Sequence, residues 1–222
     1  MAVTRAAKSG DELKARAGRI LRKLAKRHPD VKCALTHDDA WQLLVATILS
    51  AQCTDERVNK VTPVLFAKYP DPASLARAKQ ADVEKIIHST GFYRNKAKSL
   101  VECAKGVTER FGAVVPHTME ELVTLRGVAR KTANVVLGNA YGINEGVVVD
   151  THVLRLTKRM GWTRETDPVK VERDLMALFP RKKWADLAHL LIWHGRRVCG
   201  ARKPECGDCP VRSECPKVGV KS

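Results

Sequence analysis

Residues 121–136 read ELVTLRGVARKTANVV. Two helical patterns meet across RGVA, residues 126–129, a connection too short for anything but a tight hairpin. Gly127 is the residue there that takes a positive φ at little cost. The second helix then starts near Arg130 with its first amides unsatisfied and the positive end of its dipole exposed. Such an end binds an anion. A hairpin between helices is common, so this feature alone selects no ligand.

Lys131 falls in the first turn of that second helix. A cation there opposes the helix dipole, and Arg126 and Arg130 stand close in sequence. Both effects favour the neutral amine, the form that acts as a nucleophile. The bland alternative is one more phosphate-binding cation. Asp150 follows the apolar run GVVV and opens another helical pattern. It reads either as a plain N-cap or as a carboxylate held near a reacting centre. His152, two residues on, reads as structural.

The anion is suggested by composition. The chain of 222 residues carries 40 Lys and Arg against 24 Asp and Glu, a net charge of +16. Such a surface suits a polyanion, most often nucleic acid, although solubilising or ribosome-like charge is the alternative. The first 32 residues hold ten of the cations and three of the acids, on a pattern with Leu13, Ala17, Ile20, Leu21 and Leu24 at helical spacing. A hydrophobic fraction of 44% supports a folded core. No apolar run reaches the ~18 residues of a membrane span, and MAVTRAAKSGDELKARAGRI holds no secretory-type apolar segment. A reducing compartment is therefore expected, where disulfides rarely persist.

Nearly every segment reads as helix, each opening or closing with cap chemistry, giving an all-α fold of about ten helices. Pro63 predicts a kink or restart within TDERVNKVTPVLFAKYP. Only GVVVD, residues 146–150, has strand character, and it is too short to build a sheet.

Four of the seven cysteines crowd into CGARKPECGDCPVRSEC, residues 199–215. Cys199, Cys206, Cys209 and Cys215 are spaced Cys-x6-Cys-x2-Cys-x5-Cys. Four thiolates in one loop bind either zinc or an iron–sulfur cluster. Zinc sites usually pair two knuckles, and here only Cys206 and Cys209 form one. The Cys-Pro pairs at 209–210 and 215–216 echo cluster loops. Spacing points to a metal site and favours a cluster over zinc.

Together these motifs resemble a family. ILSAQCTD, GFYRNKA, GVARKTANVVL, VDTHVLR, WHGRRVC and the cysteine loop are similar to endonuclease III, bacterial DNA glycosylases with AP-lyase activity in the helix-hairpin-helix superfamily. The resemblance runs from the first helix to Cys215. It implies a six-helix barrel domain over residues 33–143, with the helix-hairpin-helix at about 118–141. A discontinuous cluster domain is implied over 1–32 and 144–222, with a DNA groove between the two. Cys199, Cys206, Cys209 and Cys215 would hold a [4Fe–4S] cluster, which orders the loop so that Arg202 and Lys203 meet phosphates. Lys131 would attack C1′ of a flipped nucleotide, Asp150 would assist, and β-elimination would nick the strand 3′ to the lesion. The implied substrates are oxidised pyrimidines and abasic sites in double-stranded DNA. A monomer in the cytoplasm, associated with the nucleoid, is expected.

Gln52 matches the family residue that fills the gap left by the flipped nucleotide; alone it reads as a polar helix end. Phe92 stands where the best-known relatives carry a leucine wedge; alone it reads as core. Arg126 and Ala129 depart from the family's Leu-Pro-Gly-Val-Gly hairpin. Arg126 is expected to add a phosphate contact. Ala129 is expected to perturb the turn and its DNA contact, because alanine disfavours a positive φ. Lys131 and the end at Ser222 argue against an adenine glycosylase of the same fold. Lys131 with Asp150 argues against a non-catalytic iron–sulfur protein.

Overall fold

The computed structural model describes residues 2–220. Among these residues there are eleven α-helices, two 3₁₀ turns and no strand. GVVVD finds no pairing partner and runs as an irregular connection. Its Val147 and Val149 are buried, so apolar burial rather than sheet pairing accounts for the β-branched run.

The chain divides into two compact units, Cys33–Glu145 and Met1–Lys32 with Gly146–Ser222. The Cys33–Glu145 unit holds α2 (Ala40–Leu49), α3 (Asp55–Lys68), α4 (Pro72–Ala76), α5 (Gln80–Ile87), α6 (Tyr93–Phe111), α7 (Met119–Leu122) and α8 (Arg130–Ala140). α2 is apolar all round and correspondingly central: Trp41 and every residue from Leu43 to Leu49 are buried. α6 packs on α4 and α5, and α8 on α2. Pro63 does not divide α3, which runs through it. Val58, Val61 and Leu65 stay buried on one face. Burying each is worth ~1.5–3 kcal/mol, enough together to outweigh the ~3 kcal/mol an interior proline costs.

The other unit holds α1 (Ala2–Arg27), α9 (Thr151–Arg159), α10 (Pro168–Leu178), α11 (Trp184–Arg197) and the cysteine loop. Ala17, Ile20 and Leu24 of α1 are fully buried at helical spacing, and α1 and α9 both pack on α11. Side chains of Asp39, Thr54, Asp71, Thr118, Asp150 and Asp167 cap their helices. α5, α6, α8 and α11 start without such a cap, and α6 instead closes on the left-handed Gly112. At α8 the N-cap position is Ala129, whose side chain offers the first-turn amides no acceptor.

Candidate active site

The hairpin between α7 and α8 is built on two buried anchors, Leu125 and Val128, with the Val128 amide donating to the Leu125 carbonyl at 3.1 Å. Between them Gly127 takes φ +81°, and a Cβ there would stand 3.0 Å from the Cβ of Ser99. Glycine is required on both counts. Ala129 is different: it lies at φ −92°, ψ 169°, extended backbone that any residue adopts. The expected conflict at Ala129 is absent, because the left-handed position of this turn is Gly127 alone.

Lys131 is the second residue of α8 and is exposed. Arg130 donates to the Glu145 carbonyl at 3.2 Å, and Arg126 lies 3.8 Å from Glu102. The two arginines beside the lysine thus each have a protein partner.

Three further positions in this unit are left-handed without being glycine and are exposed: Gln52 at φ 52°, Phe92 at φ 48° and Ala113 at φ 64°. Phe92 is 65% exposed, so the core reading of this aromatic is wrong. Left-handed non-glycine residues cost on the order of 1–3 kcal/mol and concentrate where a ligand is gripped.

In the second unit, Asp150 caps α9. Its Oδ1 accepts from the amides of His152 and Val153 at 2.8 Å each. His152 meets the guanidinium of Arg155 at 3.1 Å. Burial pushes the His152 imidazole below its ordinary value, against the pull of Asp150.

The four thiols Cys199, Cys206, Cys209 and Cys215 line one cavity, together with Arg159 and His194. Among the described residues no set of three or more His, Cys, Asp or Glu closes on a single metal ion. The loop is pinned from beneath by two arginines of α9. Arg155 donates to the Cys199 and Gly195 carbonyls at 3.0 Å, and Arg159 to the Gly200 and Ala201 carbonyls at 2.8 Å. Glu214, at the far end of the loop, pairs with Arg19 and Lys23 of α1. Burial, reinforced by the neighbouring thiols, pushes Cys209 and Cys215 up. A thiol set of this kind ionises together only around a cation. Arg202 and Lys203 stand exposed on the same loop.

Comparison with known proteins decides the family. Residues 45–181, which include the hairpin and Asp150, match the model of the HhH-GPD superfamily base excision DNA repair protein. The chain belongs to that superfamily. Within it, the chain is 56% identical over 203 residues to the endonuclease III of Synechocystis, covering 91% of this chain and 93% of the relative. It therefore belongs to the endonuclease III family. A solved non-covalent endonuclease III–DNA complex matches with TM-score 0.87 at 40% identity, over 92% of this chain and 95% of that one. A trapped endonuclease III–DNA covalent intermediate matches with the same score and identity, over 92% and 96%.

Family membership accounts for the motifs quoted from the sequence. Several residues that shape the site carry no such signal. Arg155 and Arg159 read as ordinary basic positions of an amphipathic helix, yet both hold a loop some forty residues away. His28 and His194 form a buried pair 3.1 Å apart, with His194 reaching Cys209 at 3.5 Å. Burial, followed by His28 and Arg27, pushes His194 down to about 4. Only long-range packing reveals these contacts.

Proposed function

We propose that this chain is a bifunctional DNA glycosylase and AP lyase of base excision repair, acting on oxidised pyrimidines and abasic sites in duplex DNA. The observation that carries the reading is the exposed Lys131 at the uncapped start of α8, on a hairpin that requires Gly127, in a chain of the endonuclease III family.

The chemistry follows from the residues. The Lys131 amine attacks C1′ of the extruded nucleotide, and the glycosidic bond breaks with its electron pair leaving on the base. Asp150 supplies the carboxylate that takes up the amine's proton and steadies the positive charge developing on the sugar. The sugar opens to a Schiff base, loses a proton from C2′, and expels the 3′ phosphate by β-elimination. The trapped covalent complex of a relative 40% identical to this chain supports a covalent route.

DNA is held by the hairpin amides with Arg126, Gly127, Ala129 and Arg130, and by Arg202 and Lys203 of the cysteine loop. Gln52 fills the gap left by the extruded nucleotide and Phe92 wedges between the neighbouring bases. Cys199, Cys206, Cys209 and Cys215 hold a [4Fe–4S] cluster. Four thiols lining one cavity, in a chain of the endonuclease III family, support this reading. When bound, it cross-links the loop that presents Arg202 and Lys203. In this reading the barrel domain expected over residues 33–143 falls within the Cys33–Glu145 unit, and the other unit is the cluster domain. The enzyme acts as a monomer on the nucleoid in the cytoplasm; no helix among the described residues is long and apolar enough to cross a membrane.

Incubation with a duplex carrying thymine glycol tests this directly. Release of the base together with a β-elimination nick is expected. Base release without a nick would make the chain monofunctional, and no release would remove oxidised pyrimidines from its substrates.

A further inference from the structure

α6 places a lysine in an apolar interior. Lys96 is 5% exposed, beside Ala97 and Leu100, which are fully buried. A buried ammonium is expensive, and an aliphatic side chain would serve the packing better. What the lysine adds is a donor. Its Nζ donates to the Thr90 carbonyl at 2.8 Å, while its backbone amide donates to the Phe92 carbonyl at 3.0 Å. The side chain therefore fixes the Thr90 carbonyl, two residues before the left-handed Phe92, while the amide hydrogen bond is the first of α6 and is made by any residue at this position.

Burial pushes the Lys96 amine down, and the nearby Cys53 thiol pulls it back toward its charged form. Cys53 adjoins Gln52, and its amide closes that turn on the Ser50 carbonyl at 3.1 Å. Gln52 and Phe92 are both held against their backbone preference, and strained conformations persist only where the surroundings over-determine them. Lys96 is the buried polar group tied to the Phe92 turn.

We propose that Lys96 is a positioning residue for base extrusion, holding Phe92 in the left-handed conformation that enters the duplex. This rests on the reading of Gln52 and Phe92 as the residues that fill and wedge the DNA. Lys96 acts before the chemistry, so its loss falls on lesions that must be unstacked more than on abasic sites that carry no base.

The experiment compares wild type, Lys96→Met, Phe92→Gly and the double variant in holoenzyme form. The duplex carries a thymine glycol with 2-aminopurine as its neighbour. Lys96→Met is expected to slow single-turnover base excision about tenfold or more, the scale of one lost hydrogen bond to a charged group. The aminopurine signal of extrusion falls with it, while DNA affinity changes little and borohydride trapping at a preformed abasic site falls by a smaller factor. In the Phe92→Gly background, where no left-handed strain needs holding, Lys96→Met adds little further. Lys96→Arg keeps the charge and recovers part of the loss. Where Lys96→Met does not fold, Lys96→Arg in both backgrounds gives the same comparison. Wild-type extrusion in Lys96→Met, or an equal loss of excision and abasic trapping that persists in the Phe92→Gly background, overturns the proposal. Wild-type extrusion in Phe92→Ala and Gln52→Ala instead overturns the wedge reading beneath it, and the proposal with it.

Discussion

The Nη1 of Arg159 donates to the Sγ of Cys199 at 3.2 Å, and the same guanidinium holds the Gly200 and Ala201 carbonyls. A nearly buried cation thus serves at once as a clamp on the loop backbone and as a charge beside a thiol. Arg159→Leu removes the donors and leaves two carbonyls unsatisfied, a loss of roughly 3 kcal/mol. The thermal midpoint should fall by roughly 5–10 °C, with less absorbance near ~400 nm per mole of protein. Arg159→Lys should recover only part, since one ammonium cannot reproduce the fork. Unchanged absorbance and midpoint in Arg159→Leu would remove the clamp from the account.

The hairpin makes a paired prediction. Gly127→Ala meets both a φ of +81° and the Ser99 Cβ at 3.0 Å, so it should destabilise by about 2 kcal/mol and weaken abasic-site binding. Ala129→Gly should change stability by no more than about 0.5 kcal/mol, because Ala129 is extended and glycine is at least as good at an N-cap. Urea denaturation of the two variants ranks them, and the opposite order would contradict the assigned turn.

Arg202 and Lys203 are exposed on the cysteine loop. Replacing both by alanine should lower the slope of log affinity against log salt by up to about 2, roughly 0.9 per lost phosphate contact, equally for damaged and undamaged duplex. An unchanged slope would take the loop off the DNA.

His189 gives a pH prediction. It lines a cavity with His28, Asp186, Lys183 and Arg22. Burial lowers its imidazole from the ordinary 6.5, with Asp186 opposing in part. The unfolded chain therefore takes up a proton first as the pH falls. The stability contributed by neutral His189 is intact above about pH 6.5 and is lost progressively below it. His28, lowered in the same sense, adds to the slope. His189→Asn should flatten, without abolishing, the fall in denaturation free energy between about pH 7 and 5; an unaltered slope would mean that His189 titrates as if exposed.

Much of this was legible in the residues, where local pattern and tertiary burial agree. The apolar stripe Ala17, Ile20, Leu21, Leu24 is the buried face of α1, and α8 begins at Arg130 with Lys131 in its first turn. Other features follow from context that a sequence does not carry. Residue type marks Phe92 as core, but the left-handed turn after Gly91 turns it outward. Family pattern marks Ala129 as the strained position, but the turn concentrates its positive φ at Gly127. The β-branched run at 147–149 has no strand to pair with. Lys96 and Arg159 carry no sequence signal of burial, yet packing buries both and ties them to carbonyls.

The central claim is lysine Schiff-base chemistry at Lys131, and borohydride trapping tests it most directly. Wild type and Lys131→Ala are incubated with duplex DNA carrying an abasic site or a thymine glycol, with reductant present. A covalent protein–DNA adduct on both substrates, lost in Lys131→Ala while DNA binding persists, is the predicted result. No adduct from wild type that binds DNA, or an undiminished adduct in Lys131→Ala, would contradict it.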